Sequence, residues 1–393
     1  MKTSLIAALT MLTLTTFFLS GCGTIPTRNP LPEALGDQAQ IPGIPRAKFW
    51  GDETPNFAGA VLGQSREKLK AQFPGIMGRT HHYLALSGGG ANGAFGAGLL
   101  AGWSATGTRP EFTMVTGIST GALIAPFAFL GSAYDAQLKE MYTAYSTKDL
   151  VIKHSLLNAL TGSSAVSTAP MRKMLAKYIN QAVMEAIAAE HRRGRRLFVS
   201  TTNLDAKRPV IWNIGRIAVS GHPDALALIH QVVLASASIP AVFPPMLIEV
   251  EAEGKPYDEI HVDGGTASQV FLYPASMDWK QVLEKLEVPG TPEVYVVRNS
   301  PLNPDWETVH PSILPIANVS IDSLIRTQGI GDMYRIYLDC QRDGIDFNLA
   351  YIPEGFDATP KEDFDPVYMG KLFDFAYELA KEGYPWSDAP PGF

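Results

Sequence analysis

Short apolar runs that end at glycine recur along the first three hundred residues, and they set the expected architecture. Tyr83-Leu84-Ala85-Leu86 leads into Ser87-Gly88-Gly89-Gly90, and Phe112-Thr113-Met114-Val115 leads into Gly117-Ile118-Ser119-Thr120-Gly121. Each run has strand character, and each turn precedes small and apolar residues that predict a helix, beginning near Ala91 and near Thr120. Gly121 to Ala133 is apolar, too short to span a membrane and interrupted by Pro126, so it reads as a core helix. A third strand alternates through Glu259-Ile260-His261-Val262-Asp263 and stops at Gly264-Gly265. From Thr168 to Glu190, Pro170 marks a helix start. Met171, Met174, Leu175, Tyr178, Ile179, Val183 and Ile187 then form one apolar stripe, expected to face the core rather than a lipid surface. This alternation of strand and helix predicts an α/β fold with a layered α/β/α sandwich.

The second turn is a G-x-S-x-G nucleophile elbow. A serine on so sharp a strand-to-helix bend needs unusual backbone angles, and the flanking Gly117 and Gly121 remove the Cβ clashes that would forbid it. The bend lifts the Ser119 hydroxyl out of the sheet beside the free N–H groups of a helix start. The first turn offers further bare N–H groups at Gly88, Gly89 and Gly90, the donor type that stabilises an oxyanion. Asp263 is the candidate base. Either glycine turn alone also fits an ordinary tight turn, and an aspartate before two glycines is a common turn residue. The order of all three is what points to a serine acyl hydrolase.

These motifs resemble the patatin-like phospholipase family over roughly residues 80 to 300. Thr201-Thr202-Asn203-Leu204-Asp205 and Ala235-Ser236-Ala237-Ser238-Ile239-Pro240-Ala241-Val242-Phe243-Pro244-Pro245 add to the likeness. The resemblance implies a three-layer sandwich around a mostly parallel sheet. It also implies Ser119 as nucleophile, Asp263 as its only base, an oxyanion hole at Gly88, Gly89 and Gly90, and a lipid or phospholipid substrate with no cofactor. Two positions differ from the family pattern. Asn92 stands where a basic residue usually follows the glycines, and Thr266-Ala267-Ser268-Gln269 replaces an Asn-x-Pro. A guanidinium at the first position would hold a phosphate, so its replacement leaves phospholipid and neutral ester both open.

A direct carboxylate base starts from a reference pKa of about 3.9, and burial would strengthen it. Such a site suits esters, whose leaving alkoxide departs more readily than an amine. A Ser119–Asp263–His310 triad is formally available, since the order serine, acid, histidine is that of α/β-hydrolases. His310, however, lies in a proline-rich stretch that reads as surface loop, and His261 reads as a packed or solvated strand residue. Two alternatives therefore stand beside the dyad: a short-chain esterase with a Ser-His-Asp triad, and a non-catalytic envelope lipoprotein. The sequence holds no H-E-x-x-H or Cys/His cluster that would indicate metal.

The N-terminus adds an address. Lys2, an apolar core from Leu5 to Leu19, and Leu19-Ser20-Gly21-Cys22 resemble a lipoprotein signal peptide over residues 1–21. Cleavage before Cys22 would place acyl chains, palmitate among them, on its thiol and amino group, anchoring the protein in the bacterial cell envelope. Gly23 after the cysteine resembles an outer-membrane address. Six prolines between Gly23 and Pro55 predict a semi-rigid tether over 22–57, followed by the acyl hydrolase domain over 58–393, its core at about 80–300. Cys22 and Cys340 are the two cysteines, so with Cys22 lipidated Cys340 is a lone thiol, expected to be buried. His191-Arg192-Arg193-Gly194-Arg195-Arg196 is the one basic run and reads as a solvated helix end, with contact to anionic headgroups as the sharper alternative. A net charge of -7 disfavours nucleic-acid binding.

Overall fold

A computed structural model describes residues 28–153, 166–303, 306 and 308–393. The signal peptide and Cys22 lie outside the described residues. Among those described, nine strands build one sheet: β1 (Lys48–Trp50), β2 (His82–Leu86), β3 (Met114–Gly117), β4 (Arg196–Asn203), β5 (Arg208–Asn213), β6 (Met246–Ala252), β7 (Lys255–Asp263), β8 (Glu293–Arg298) and β9 (Asp346–Tyr351). The main path runs β1-β5-β4-β3-β2-β8-β9, with β7 paired to the far end of β4 and β6 paired to β7. Pairs from β4 through β3, β2 and β8 to β9 are parallel, and those involving β1, β5, β6 and β7 are antiparallel.

The helices among the described residues that matter most for the site and the sheet's cover are α1 (Gly93–Ala105), α2 (Thr120–Leu130), α3 (Ala169–Tyr178), α4 (Gln181–Arg192), α5 (Ala225–Ser236), α6 (Ile313–Asp343) and α7 (Pro366–Lys381). Strand β2 shows how the layers arise. Leu84 and Leu86 point into one core with α1, α2 and α7, whereas Tyr83 and Ala85 point into the other with Met333, Ile336 and Cys340 of α6. Both faces are buried, so the strand reads as a continuous apolar run, as parallel strands do. Helix α1 lies close against α7: a Cβ at Gly98 or Gly102 would come within 2.2 Å of a carbonyl oxygen of Phe373 or Tyr377. Cys340 is buried, and burial pushes its thiol pKa up, so it behaves as a small hydrophobe.

Two sequence expectations change here. The apolar stripe from Met171 to Ile187 is buried as expected, but it belongs to two helices, because Asn180 interrupts the run and its side chain caps α4 through Val183 N–H. More consequentially, the described part of the expected tether, residues 28–57, packs onto the domain. Arg28 pairs with Asp205 and Asp258, Gln40 bridges to Glu251, and Ala39, Ile41, Ile44 and Ala47 are buried. Strand β1 joins the sheet beside β5, and Lys48 makes a buried ion pair with Glu259 at 2.8 Å. The prolines punctuate turns that hug the surface, and each buried apolar side chain repays the ordering of its neighbours. At the other end, β9 and α7 complete the sheet and its cover beyond residue 300.

Candidate active site

Register brings the two candidate side chains together. Gly117, the last residue of β3, pairs with Val199 of β4, and Asp263, the last residue of β7, pairs with Thr201, two residues further along the same strand. Both chains then turn at one edge of the sheet. Ser119 Oγ donates to Asp263 Oδ2 at 2.7 Å, and both residues are buried. The serine adopts φ 54 and ψ -121, a conformation rare for a residue with a Cβ. Its glycine neighbours have no alternative. A Cβ on Gly117 would sit 2.4 Å from Gly121 O, and one on Gly121 would sit 2.4 Å from Leu86 O.

Asp263 is held from four sides. Its Oδ1 accepts from Gly265 N–H at 2.7 Å, its N–H donates to Ser238 O at 2.9 Å, and Thr202 Oγ1 donates to its carbonyl at 3.0 Å. With Ser119 on the fourth side, the carboxylate is fixed in orientation. Burial pushes its pKa up to about 7, although the hydrogen bonds from Ser119 and Gly265 pull the other way. A buried carboxyl poised there has the basicity a general base needs near neutral pH.

The glycine loop is partly as expected. Gly88 N–H already donates to Gln269 O at 3.1 Å, so Gly88 frames the loop rather than serving as a free donor, a correction to the expected trio. No acceptor among the described residues takes the N–H groups of Gly89 and Gly90. Gly89 has φ +156, and a Cβ there would fall 2.2 Å from Asn299 O. Thr120 N–H, the first of α2, is likewise without an acceptor among the described residues and adds a donor the sequence reading passed over.

Several supporting residues were also missed. Ser236 Oγ accepts Ser119 N–H at 2.9 Å and donates to Ser200 O at 2.7 Å. Asn299 is fully buried; its Nδ2 donates to Ser87 O at 2.9 Å, and its Oδ1 accepts from Gly96 N–H at 3.0 Å. A signal existed for Asn299: it follows the apolar run Val294-Tyr295-Val296-Val297 with only Arg298 between, at the edge where the other chemistry-bearing turns lie. Asp332 of α6 accepts from Gln269 N–H at 2.6 Å, bracing the stretch after Asp263 that departs from the Asn-x-Pro pattern. At the other departure, Tyr368 Oη donates to Asn92 Oδ1 at 2.6 Å, so a hydroxyl contact replaces a cation there.

His261 and His310 both find partners other than Ser119. His261 is buried with Nδ1 on Thr201 Oγ1 at 2.9 Å and Nε2 on Glu259 at 3.1 Å, and His310 is exposed and meets Ser312 Oγ at 3.1 Å. The Asp263 carboxylate accepts directly from the serine hydroxyl, and His310 does not stand between them.

The profile of the family described as patatin-like phospholipase matches residues 84–276, a span that includes the elbow, both paired side chains and the glycine loop. Residues 84–276 carry a patatin-like phospholipase domain. The domain is accordingly a lipid hydrolase domain, with the α/β/α layers and mostly parallel sheet described above. A solved structure, VipD from Legionella pneumophila, is similar at 13% identity and a TM-score of 0.31, covering 77% of this chain and 67% of that one. No curated protein matches the chain. Within the patatin-like match fall Ser236, Gln269 and the Thr201–Thr202 pair, whereas Asn299, Asp332 and Tyr368 come from beyond it.

Proposed function

We propose that this patatin-like protein is a membrane-anchored serine lipid acyl hydrolase that cleaves carboxylic esters of phospholipids or related lipids. The observation that carries the reading is the 2.7 Å contact between Ser119 Oγ and Asp263 Oδ2. As Ser119 Oγ attacks the ester carbonyl, its proton passes to Asp263. The carbonyl oxygen becomes an oxyanion facing the N–H groups of Gly89, Gly90 and Thr120. Collapse expels the alcohol, which takes the proton from Asp263 and leaves an acyl-serine. Water then attacks, Asp263 accepts its proton, and the serine leaves with that proton as the fatty acid departs.

A lipid-facing surface beside the site supports a membrane substrate. The first half of α6 exposes Ile313, Ile316, Ile321, Leu324 and Ile325, and the same helix reaches the Asp263 loop through Asp332. An exposed apolar row of this kind suits insertion among acyl chains. The anchor itself is proposed from the sequence: acylated Cys22 would hold the enzyme in the outer membrane. Mass spectrometry of the mature N-terminus finding unmodified Cys22, or cleavage elsewhere, would remove that part.

The dyad is tested with purified, folded variants on a short p-nitrophenyl ester. Ser119→Ala and Asp263→Asn should each abolish most turnover, and the double variant should be little worse, because the pair acts as a unit. His310→Ala and His261→Gln should retain substantial activity. If His310→Ala is as inactive as Ser119→Ala, the dyad reading fails.

A further inference from the structure

An apolar cavity of about 260 Å³ lies away from the Ser119–Asp263 site, at the opposite end of the parallel strands. His81 and Tyr83 at the start of β2, Thr113 and Met114 at the start of β3, and Arg196 and Phe198 at the start of β4 form its floor. Its roof is the N-terminal segment, with Phe49, Phe57, Leu62 and Phe73. The charged lining has one sign. Arg46, Arg196, Arg216 and Lys285 all contribute, no aspartate or glutamate does, and none of the four forms an ion pair among the described residues. In a chain of net charge -7, four such cations around one apolar space require an explanation.

Arg196 makes the case sharpest. Its guanidinium reaches only carbonyls, His191 O at 3.2 Å and Arg195 O at 2.9 Å, and lies 4.9 Å over the Phe73 ring. Burial, then the neighbouring charge of Arg216, lowers its pKa to about 10. His191 Nδ1, also in the lining residue set, is buried without a hydrogen-bond partner. A half-buried cation with no carboxylate partner carries a desolvation cost, and an anion between Arg196 and Arg216 would offset it. Two other arginines of the basic run are already committed: Arg193 and Arg195 pair with Glu190, and Arg195 also donates to Phe112 O and Phe129 O.

We propose that this cavity is a second lipid site, binding a single-chain fatty carboxylate with its head between Arg196 and Arg216 and its chain against Phe73, Phe198 and Met277. The volume falls just under the usual range of about 300–1,000 Å³ for small-ligand pockets, which favours one medium-length chain over a two-chain phospholipid. Choosing carboxylate over another anionic head rests on the hydrolase reading, because ester cleavage releases fatty acids. The cavity touches the catalytic turn through one side chain. Phe271 lines it and packs with Ile118, the residue before Ser119.

The test uses the full-length protein carrying Ser119→Ala, so that binding is scored without turnover, and a diazirine-bearing medium-chain fatty acid as probe. Photolabelling should map by mass spectrometry to peptides holding Phe73, Phe198 or Met277. Excess decanoate should remove it, and decanol should not. Arg216→Gln should reduce labelling at least tenfold, and Arg216→Lys should restore much of it. Labelling confined to the Ser119 region, equal competition by decanol, or full labelling of Arg216→Gln would overturn the proposal. Decyl phosphate competing tenfold better than decanoate would overturn the carboxylate assignment. The decanoate–decanol comparison needs no cavity variant, so a misfolded Arg216 variant would not protect the idea. A hydrolase that works but shows no cavity labelling would sink this inference alone.

Discussion

Asp263 combines two demands that conflict. As the proposed base it would have to ionise, yet its surroundings disfavour the charge and push its pKa up to about 7. Turnover of a soluble ester should therefore rise with pH through about 7 and be largely lost below pH 6, as the carboxylate is protonated. A flat profile between pH 5.5 and 8.5 would contradict Asp263 as the titrating base. The stability consequence has the opposite slope. A carboxyl whose folded pKa exceeds its unfolded value stabilises the fold fully below the unfolded pKa, and that contribution is lost as pH rises through the folded one. Asp263→Asn removes the charge; its Oδ1 still accepts from Gly265 N–H, and its Nδ2 donates to Ser119 Oγ instead of accepting from it. Its melting temperature should exceed that of the wild type at pH 8, by a margin that shrinks at pH 5. Differential scanning calorimetry at both pH values decides it.

At the level of elements, the proposed oxyanion loop is positioned by its neighbours rather than by its own sequence. Gly89 is pressed against Asn299, whose side chain ties the loop to the start of α1. Asn299→Ala would leave Ser87 O and Gly96 N–H buried without their partner, at about 1–3 kcal/mol each. It should lower kcat by about a hundredfold, in line with the loss of one oxyanion donor, while KM changes little. Gly89→Ala should do the same through the clash. Normal kcat in either folded variant would reduce the loop to a plain turn. Helix α6 carries a different expectation. Ile321→Glu with Leu324→Glu should cut hydrolysis of phospholipid vesicles at least tenfold and leave a soluble short-chain ester nearly unaffected, because both side chains are solvent-facing. Equal loss on both substrates would assign that face to folding instead.

The whole molecule depends on the N-terminal segment more than its composition suggests. Lys48 on β1 neutralises Glu259, which also carries His261, so one ion pair joins the first strand to the strand that ends at Asp263. Removing one partner of a buried pair typically costs about 3–5 kcal/mol. Lys48→Met should therefore lower unfolding free energy by roughly 3 kcal/mol in urea melts. A change at a free tether would stay within about 0.5 kcal/mol, and such a result would return 28–57 to a tether. The same segment roofs the charged cavity, so its packing also creates that space.

Much of the proposed site's geometry was legible in the chain because its turns are local. A glycine either side of Ser119 serves a bend made by those residues themselves, and strand alternation ending at Asp263-Gly264-Gly265 marks a turn at a sheet edge. The apolar stripe from Met171 to Ile187 announced buried helix for the same reason: side-chain period is a property of neighbours in sequence. Tertiary structure decided what depends on distant partners. Gly88 lost its donor role to Gln269, about 180 residues on, and Asn299 gained its role from contacts with Ser87 and Gly96 across the β2–β8 pair. Residues 28–57 look like a tether because prolines and sparse periodicity describe only how a segment bends. Whether it stays in solvent depends on the edge strand and the carboxylates waiting for it, Glu259, Asp205 and Asp258, which lie roughly two hundred residues away in sequence and come within reach only when the sheet closes.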